Sequence, residues 1–513
     1  MKKVRIICRN SRLSLIQAEL VKAKILGVQQ DAEVVIIPRT SLGDRDLSVP
    51  LSALDGIDFF TQEIFEVLQR DEADIAVHSL KDMSAPHFFS HDAFAIVDRD
   101  DVRDVAIFNE DIIEKLKKGE VINIGTCSPR REEMAIGFLK KALPQFGESI
   151  KIEVKSIRGN VEGRLKQLHD RKYDATILAT AGLNRLLRDD IKNEIIGEHS
   201  LSSLLEGKRL MLLPLIECAP APCQAAIVAE ANPHNTDAVE LIKKINQPAL
   251  LEEAIAEKKV GFEFGTGCLQ RFGVVSIKNE QGTYLYAAGE DQHGEKFSKW
   301  KNLPELELEG RHFFSSTDHM RDFFSYAVGD FDQPIESEGV FVANYKTLLH
   351  PDAFEKLAGK KIWASGTKTW FELAKLGLWV EGSADAMGFE KMEAVLKMPL
   401  FKVNIKSLTI LTHRKAAARW GQKGYKSVSN YELSPNNQNT LKDLIAESTA
   451  FFWSSFSQYE FYGKDLDKEA LHLCAAGETA VLLRNEGLDP VIFPTIKSFE
   501  LWRKSTTRIP TAG

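Results

Sequence analysis

At 513 residues the chain exceeds what one hydrophobic core can organise, and roughly three to five domains are expected from the usual domain size. Apolar residues (44%) and charged residues (27%) stand in the proportions of ordinary soluble globular proteins, and a net charge of -7 excludes a global attraction to nucleic acid or acidic membranes. Any anion site must therefore come from a local cluster of basic residues.

In chain order, short apolar runs alternate with amphipathic stretches. The start, MKKVRIICRNSRLSL, has no apolar segment long enough for a signal peptide. VRIIC (4–8), EVVIIP (33–38) and DIAVHS (74–79) predict strands, and LSLIQAELVKAKIL (13–26) and FFTQEIFEVLQR (59–70) predict helices. After the charged stretch DRDDVRD (98–104), VINIGT (121–126), IKIEVKSI (150–157) and DATILAT (174–180) predict the strands of a second unit. This βαβ rhythm implies mainly parallel sheets, with ligands at the C-terminal ends of the strands. A third unit, from about 228 to 305, opens with the helical TDAVELIKKI and LLEEAIAEKKV and continues with FGVVSI and TYLYAAGE, antiparallel strands around a turn at NEQG.

The last 200 or so residues carry a weak internal repeat with a period of about 110 residues. GVFVANYKT (339–347) precedes KIWASGTKTWFELAKLGL (361–378), and AFFWSSFSQ (450–458) precedes LHLCAAGETAVLLRNEGL (471–488). A T-x7-G-L pattern recurs at Thr369/Gly377 and Thr479/Gly487, which predicts two similar α/β lobes. The six cysteines, Cys8, Cys127, Cys218, Cys223, Cys268 and Cys474, form no CxxC pair and no Cys/His spacing suited to zinc. A reducing compartment and no metal centre are expected. No run of about 18 apolar residues suggests a membrane span, so a cytoplasmic protein is expected.

Basic residues cluster at the predicted strand ends. Arg9 and Ser11 follow the first strand, HSLKD places Lys81 and Asp82 after another, GTCSPRR places Ser128, Arg130 and Arg131, and IRGNVEGR places Arg158 and Arg164. Helix starts after such turns add oriented N–H groups, and the arginine fork bonds both oxygens of a carboxylate. Four such placements in an acidic protein point to a cleft for a ligand with many carboxylates. Asp82 is a carboxylate among these cations, and could accept from N–H groups of a ligand or stabilise a cationic intermediate.

From about residue 4 to 275 these segments resemble hydroxymethylbilane synthase, also called porphobilinogen deaminase. RNSRLSLIQAE, DIAVHSLKD, DRDDVRD, GTCSPRR, SIRGNVEGRL, YDATILATAGLNRL and FGTGC occur in that family's order. The resemblance implies two α/β lobes similar to periplasmic binding proteins, residues 1–100 with 205–226 and residues 101–204. A small α+β cofactor domain, 227–305, would follow. It implies a dipyrromethane cofactor tethered through a thioether to Cys268, with porphobilinogen as the substrate. Asp82 would be the catalytic carboxylate. Lys81, Ser128, Arg130, Arg131 and Arg164 would bind cofactor carboxylates, and Arg9, Ser11, Gln17, Arg158 and Arg185 the substrate or growing chain. A monomer with no nucleic-acid or membrane partner is expected. Two departures stand out. The family's lysine- and glycine-rich lid stretch is here ALDGIDFF (53–60), and its PAPGQGA appears as PAPCQAA (220–226), a change expected to stiffen the link between domains.

Residues 308–513 resemble, more weakly, uroporphyrinogen-III synthase, whose two α/β domains face each other across a cleft. That resemblance rests on the SGTKT and AAGET copies and on LTILTHRKAAARWGQKGYKSVSNYELSP (408–435). It places Thr369, Tyr431, Ser454, Ser455 and Thr479 at the cleft. The segment HFFSSTDHMRDFFSYAV leaves little room for a full first lobe. The preferred reading is a fused enzyme that builds the bilane and closes it to uroporphyrinogen III. The alternatives are a deaminase with a non-catalytic C-terminal domain, or an anion-binding module of the solute-binding kind, which would need neither Asp82 nor Cys268.

Overall fold

The first strand carries apolar side chains on both faces. Val4, Ile6 and Cys8 pack with Ala18, Val21 and Ile25 of the helix Arg12–Val28, while Ile7 packs on the other side with Ile64, Leu68 and Ala76. A strand covered on both faces reads as an uninterrupted apolar run, as VRIIC does. This strand belongs to a computed structural model that describes residues 3–40, 62–197, 200–265, 270–385, 387–436 and 439–505. Cys268 and the stretch 53–60 lie outside the described residues.

Two compact units divide the chain. One comprises Met1–Lys140, Phe146–Ser276 and Leu285–Lys299, the other Lys141–Gln145, Ile277–Tyr284 and Trp300–Gly513. The first unit holds two five-stranded sheets. In one, β2 (Glu33–Arg39), β1 (Lys3–Arg9), β3 (Ile75–Ser79), β10 (Ala226–Ala231) and β4 (Phe94–Arg99) lie side by side in that order. In the other the order is β7 (Ile152–Lys155), β6 (Ile122–Gly125), β8 (Ala175–Ala179), β5 (Asp104–Phe108), β9 (Arg209–Leu212).

The sheets are mixed, which corrects the expectation of mainly parallel ones. The pairs β1–β2, β1–β3, β6–β7 and β6–β8 are parallel, but β10 runs antiparallel to β3 and β4, and β5 antiparallel to β8 and β9. The cause is the route of the chain. β5 and β10 follow the two links between the sheets, residues 100–103 and 213–225, with no returning helix to set them parallel. The same route corrects two expected boundaries. β9 falls within 205–226 yet pairs in the second sheet, and all of β10 but Ala226, with the helix Thr236–Ile245, falls within 227–305 yet completes the first lobe.

The helix Pro248–Phe264 leads to a three-stranded sheet, β11 (Arg271–Asn279), β12 (Gly282–Glu290) and β13 (Lys296–Lys301). Only Glu280 and Gln281 separate β11 from β12, a length that a hairpin alone can span, as the NEQG turn predicts.

In the second unit, β18 (Val380–Ser383), β17 (Lys361–Ala364), β16 (Gly339–Val342), β19 (Thr409–Thr412) and β20 (Lys426–Ser429) form a sheet of parallel pairs. A second parallel sheet orders β14 (Phe313–Ser315), β22 (Ala450–Trp453), β23 (Leu471–Ala475) and β24 (Val491–Phe493). The two repeat copies thus give the same local order, β16–β17–β18 and β22–β23–β24. The repeated glycines have one job. Gly377 (φ 78°) and Gly487 (φ 85°) turn the chain left-handed just past the helices Thr367–Lys375 and Glu478–Asn485. The short segment after 308 builds no lobe by itself. It supplies β14 to the second sheet and β15 (Phe324–Val328) to an antiparallel ribbon with β21 (Tyr431–Pro435). Among the described residues no helix is long and apolar enough to cross a membrane.

Candidate active site

β3 ends at Ser79 and runs into a tight turn, Leu80–Asp82, anchored by the fully buried Leu80. β6 ends at Gly125, and Pro129 opens the next helix, Pro129–Ala142, at the first helical position, where the missing N–H costs nothing. These two strand ends bring Lys81 and Asp82 together with Ser128, Arg130 and Arg131 around a cavity of about 190 Å³, whose apolar wall includes Phe262 and Phe272. A smaller cavity of about 30 Å³ is lined by Arg9, Ser14, Gln17 and again Asp82. Asp82 therefore stands where the two meet. Neither it nor Lys81 has a hydrogen-bond or ion-pair partner among the described residues.

The organiser of the cations is Asp104, at the start of β5. Arg130 donates to Asp104 Oδ2 (2.7 Å) and to the Ala219 carbonyl (2.8 Å). Arg131 donates to Asp104 Oδ1 (2.8 Å) and to the Ile177 carbonyl (2.9 Å). Gln224 adds a third donor to Oδ1 at 3.0 Å. Burial pushes the Asp104 pKa up, but the two guanidinium groups outweigh it and hold the carboxyl well below the usual carboxylate range. Each arginine keeps capacity for a ligand, and Arg131 Nε is buried without a hydrogen-bond partner among the described residues. Burial lowers the Lys81 pKa, opposed by Asp82 and reinforced by Arg131. Burial likewise lowers that of Arg164, with Cys127 opposing. Such a set suits a polyanion, whose carboxylates would complete what the protein leaves unpaired.

The remaining predicted residues divide. Gln17 is buried and donates to Ser79 Oγ at 3.1 Å, at the smaller cavity beside Arg9. The Ser11 hydroxyl caps the helix Arg12–Val28 by accepting the Ser14 N–H at 3.2 Å. Arg164 Nε donates to the Gly159 carbonyl at 2.8 Å, and it and Arg158 stand outside the residues lining either cavity. Arg185 is buried and bonds Asp98 (3.0 Å) and the Ala225 carbonyl (2.7 Å). Cys268 lies outside the described residues.

Asp104 and Gln224 were not foreseen as site residues, although both sit in motifs already singled out, DRDDVRD and PAPCQAA. The altered motif also has a conformational consequence. Cys223 (φ 62°) and Ala225 (φ 72°) both adopt the left-handed region, where the family's glycines would be free of strain.

In the second unit, Ser454 and Ser455 follow β22 and share Gln458 Oε1, at 2.9 Å from Ser454 Oγ and 3.0 Å from Ser455 N. Thr479 stands in the first turn of the helix after β23, and Thr369, buried, in the first turn after β17, with its hydroxyl 3.1 Å from that of Ser365. Tyr431, at the start of β21, is buried, which pushes its hydroxyl pKa up.

Residues 4–240 match the family model described as porphobilinogen deaminase, dipyromethane cofactor binding domain. The porphobilinogen deaminase of Chromobacterium violaceum is 34% identical over 272 residues, 52% of this chain and 78% of that protein. That of Streptococcus sanguinis is 30% identical, covering 56% of this chain and 86% of its own length. The probable porphobilinogen deaminase of Pyrobaculum islandicum is 32% identical, covering 58% and 89%. Among solved structures, the substrate binding protein of an amino acid ABC transporter covers 51% of this chain and 99% of its own, at 12% identity and a TM-score of 0.25, too loose a likeness to carry an argument. The strand-end cations gathered around Asp82, and the extent of the match to three relatives over most of their length, lead to one assignment: the chain belongs to the porphobilinogen deaminase family.

Proposed function

We propose that the chain joins four porphobilinogen molecules into the linear hydroxymethylbilane, releasing one ammonia per pyrrole added, as a step of tetrapyrrole biosynthesis. The observation that carries this reading is Asp82, a carboxylate common to two cavities, set among Lys81, Arg130 and Arg131 and without a hydrogen-bond or ion-pair partner among the described residues. A dipyrromethane tethered to Cys268 would, when bound, supply the pyrrole carbon to which the first substrate is joined. The fit is supported by the unpartnered Arg131 Nε and by buried cations in excess of the acids that face them. Lys81, Ser128, Arg130, Arg131 and Arg164 would hold its carboxylates, and Arg9, Ser11, Gln17 and Arg158 would receive the incoming substrate. Loss of ammonia from porphobilinogen leaves positive charge on the pyrrole N–H, which the Asp82 carboxylate would stabilise. The arginines would keep the growing chain's carboxylates from repelling one another. Intact-mass analysis tests this reading. The purified chain should carry an adduct equal to dipyrromethane, absent from Cys268→Ser, and an unmodified active protein would overturn it.

A second activity is proposed for residues 308–513: closure of the bilane to uroporphyrinogen III. Two parallel-sheet lobes tied by the β15–β21 ribbon, with Thr369, Ser454, Ser455 and Thr479 at helix starts beyond strand ends and Tyr431 on the ribbon, support it. Tethering a cyclase to the source of an unstable bilane raises its effective concentration. The isomer of the porphyrin made from porphobilinogen by the full-length chain is the test. Isomer I alone would leave residues 308–513 a non-catalytic domain.

A further inference from the structure

Glu230, on β10, is fully buried, yet no lysine or arginine pairs with it among the described residues. Three imidazoles meet it instead. His78 Nε2 lies 3.1 Å from Oε2, while His87 Nε2 and His91 Nε2 lie 2.6 and 3.0 Å from Oε1. His78 comes from β3, the strand beside β10. His87 belongs to the short helix Ala85–Phe88, and His91 follows four residues later. The Phe65 ring closes one side, edge-on to His87 at 4.6 Å and stacked on His91 at 5.8 Å. Burial pushes the Glu230 pKa up, but the bonds from His78, His87 and His91 outweigh it and keep the group an ionised carboxylate. His87, His91 and Glu230 line neither cavity of the site described above.

We propose that His87, His91 and Glu230, with His78 beside them, bind one divalent transition cation of the zinc class. The three ligand atoms of the first group lie within 4.8 Å of one another. Around a tetrahedral zinc, with bonds of about 2.0–2.1 Å, ligand atoms stand about 3.3 Å apart. The separations of 3.0 and 3.1 Å to Glu230 need to open by about 0.2–0.3 Å, and that of 2.6 Å by about 0.7 Å. Imidazole nitrogen and carboxylate oxygen are ligands such a cation takes, and the ion would neutralise a buried charge that no lysine or arginine among the described residues balances. His87 and His91 keep 16% and 12% of their side-chain surface exposed, which leaves a way in. One bond opposes loading. His91 Nδ1 accepts the Ala93 N–H at 3.2 Å, so the ring proton sits on Nε2. For Nε2 to bind the ion, the ring proton must first move to Nδ1, at the cost of the Ala93 bond, which frees the Nε2 lone pair.

The test uses the untagged full-length chain, stripped with a chelator and dialysed, then titrated with Co²⁺ and with Zn²⁺. One equivalent per chain is expected by elemental analysis after gel filtration, with the visible d–d absorption of four-coordinate Co²⁺ and a thermal midpoint that rises until that equivalent is reached. His87→Gln and His91→Gln, at partly exposed positions, should each weaken binding at least tenfold while keeping the wild-type circular dichroism. A folded wild type that retains no metal would overturn the proposal, as would a full equivalent retained by both variants. If a variant misfolds, the wild-type Co²⁺ spectrum decides: bands of nitrogen–oxygen coordination support the site, and their absence refutes it.

Discussion

Asp104→Asn removes one charge and almost no volume, and its effect can be worked out from the bonds it breaks. Three donors converge on the two carboxylate oxygens: Arg130 at 2.7 Å, Arg131 at 2.8 Å and Gln224 at 3.0 Å. An asparagine offers one acceptor oxygen and turns an NH₂ group toward a guanidinium N–H. Two nearly buried arginines are then left without their counter-ion. Breaking a buried pair from one side costs about 3–5 kcal/mol. At about 2–4 °C per kcal/mol for a unit of this size, the melting midpoint should fall by roughly 6–20 °C. The pH dependence has a definite sign. The folded-state pKa of Asp104 lies below its unfolded value, so its stabilisation is complete above about pH 4 and is lost as the pH falls toward the folded value. The gap between wild type and variant should therefore narrow below about pH 4. Differential scanning calorimetry from pH 7 down to pH 3 measures both effects. A loss under about 2 °C at pH 7, or a gap that widens on acidification, would refute Asp104 as the organiser of Arg130 and Arg131.

Other outcomes can be stated more briefly. Asp82→Asn should fold normally, because among the described residues Asp82 has no hydrogen-bond or ion-pair partner to lose, while turnover falls by about 10²–10⁴-fold, the usual scale for a side chain acting on a proton or charge in the transition state. Near-normal turnover would remove Asp82 from the chemistry. Gly273→Ala would bring a Cβ to within 2.1 Å of the Ala219 carbonyl oxygen, the one that Arg130 bonds. It should cost about 2–3 kcal/mol by forced backbone displacement, read by urea unfolding. Ala225→Val, at φ 72°, should cost more than about 1 kcal/mol because a β-branched residue tolerates that region worse than alanine, whereas Ala225→Gly should stay within about 1 kcal/mol of wild type as strain relief offsets chain entropy and a lost methyl contact.

Much of this structure was legible in short stretches. VRIIC, DIAVHS and DATILAT became β1, β3 and β8 because a strand covered on both faces announces itself by local composition. The cations at their ends followed from strand direction alone. The antiparallel setting of β5 and β10 was not legible. It depends on where the chain crosses between sheets, and the partners Val228 and His78 are far apart in sequence. The same distance hid the grouping of His78, His87 and His91 on Glu230, the last 152 residues from His78. Asp104 was visible as one acid in a charged run, but nothing local says which of several aspartates points inward.

The Asp104 cluster has a mechanical side. Asp104 closes the first stretch of chain that crosses between the two sheets, and Ala219 and Gln224 belong to the second. One ionised group therefore pins both straps of the hinge at a single point. The arginines it holds are the same ones that face the cavity. Any swing of one lobe against the other would load those bonds, and a ligand held by Arg130 and Arg131 would bear on the same joint, so that gripping and bending would share a single fastener.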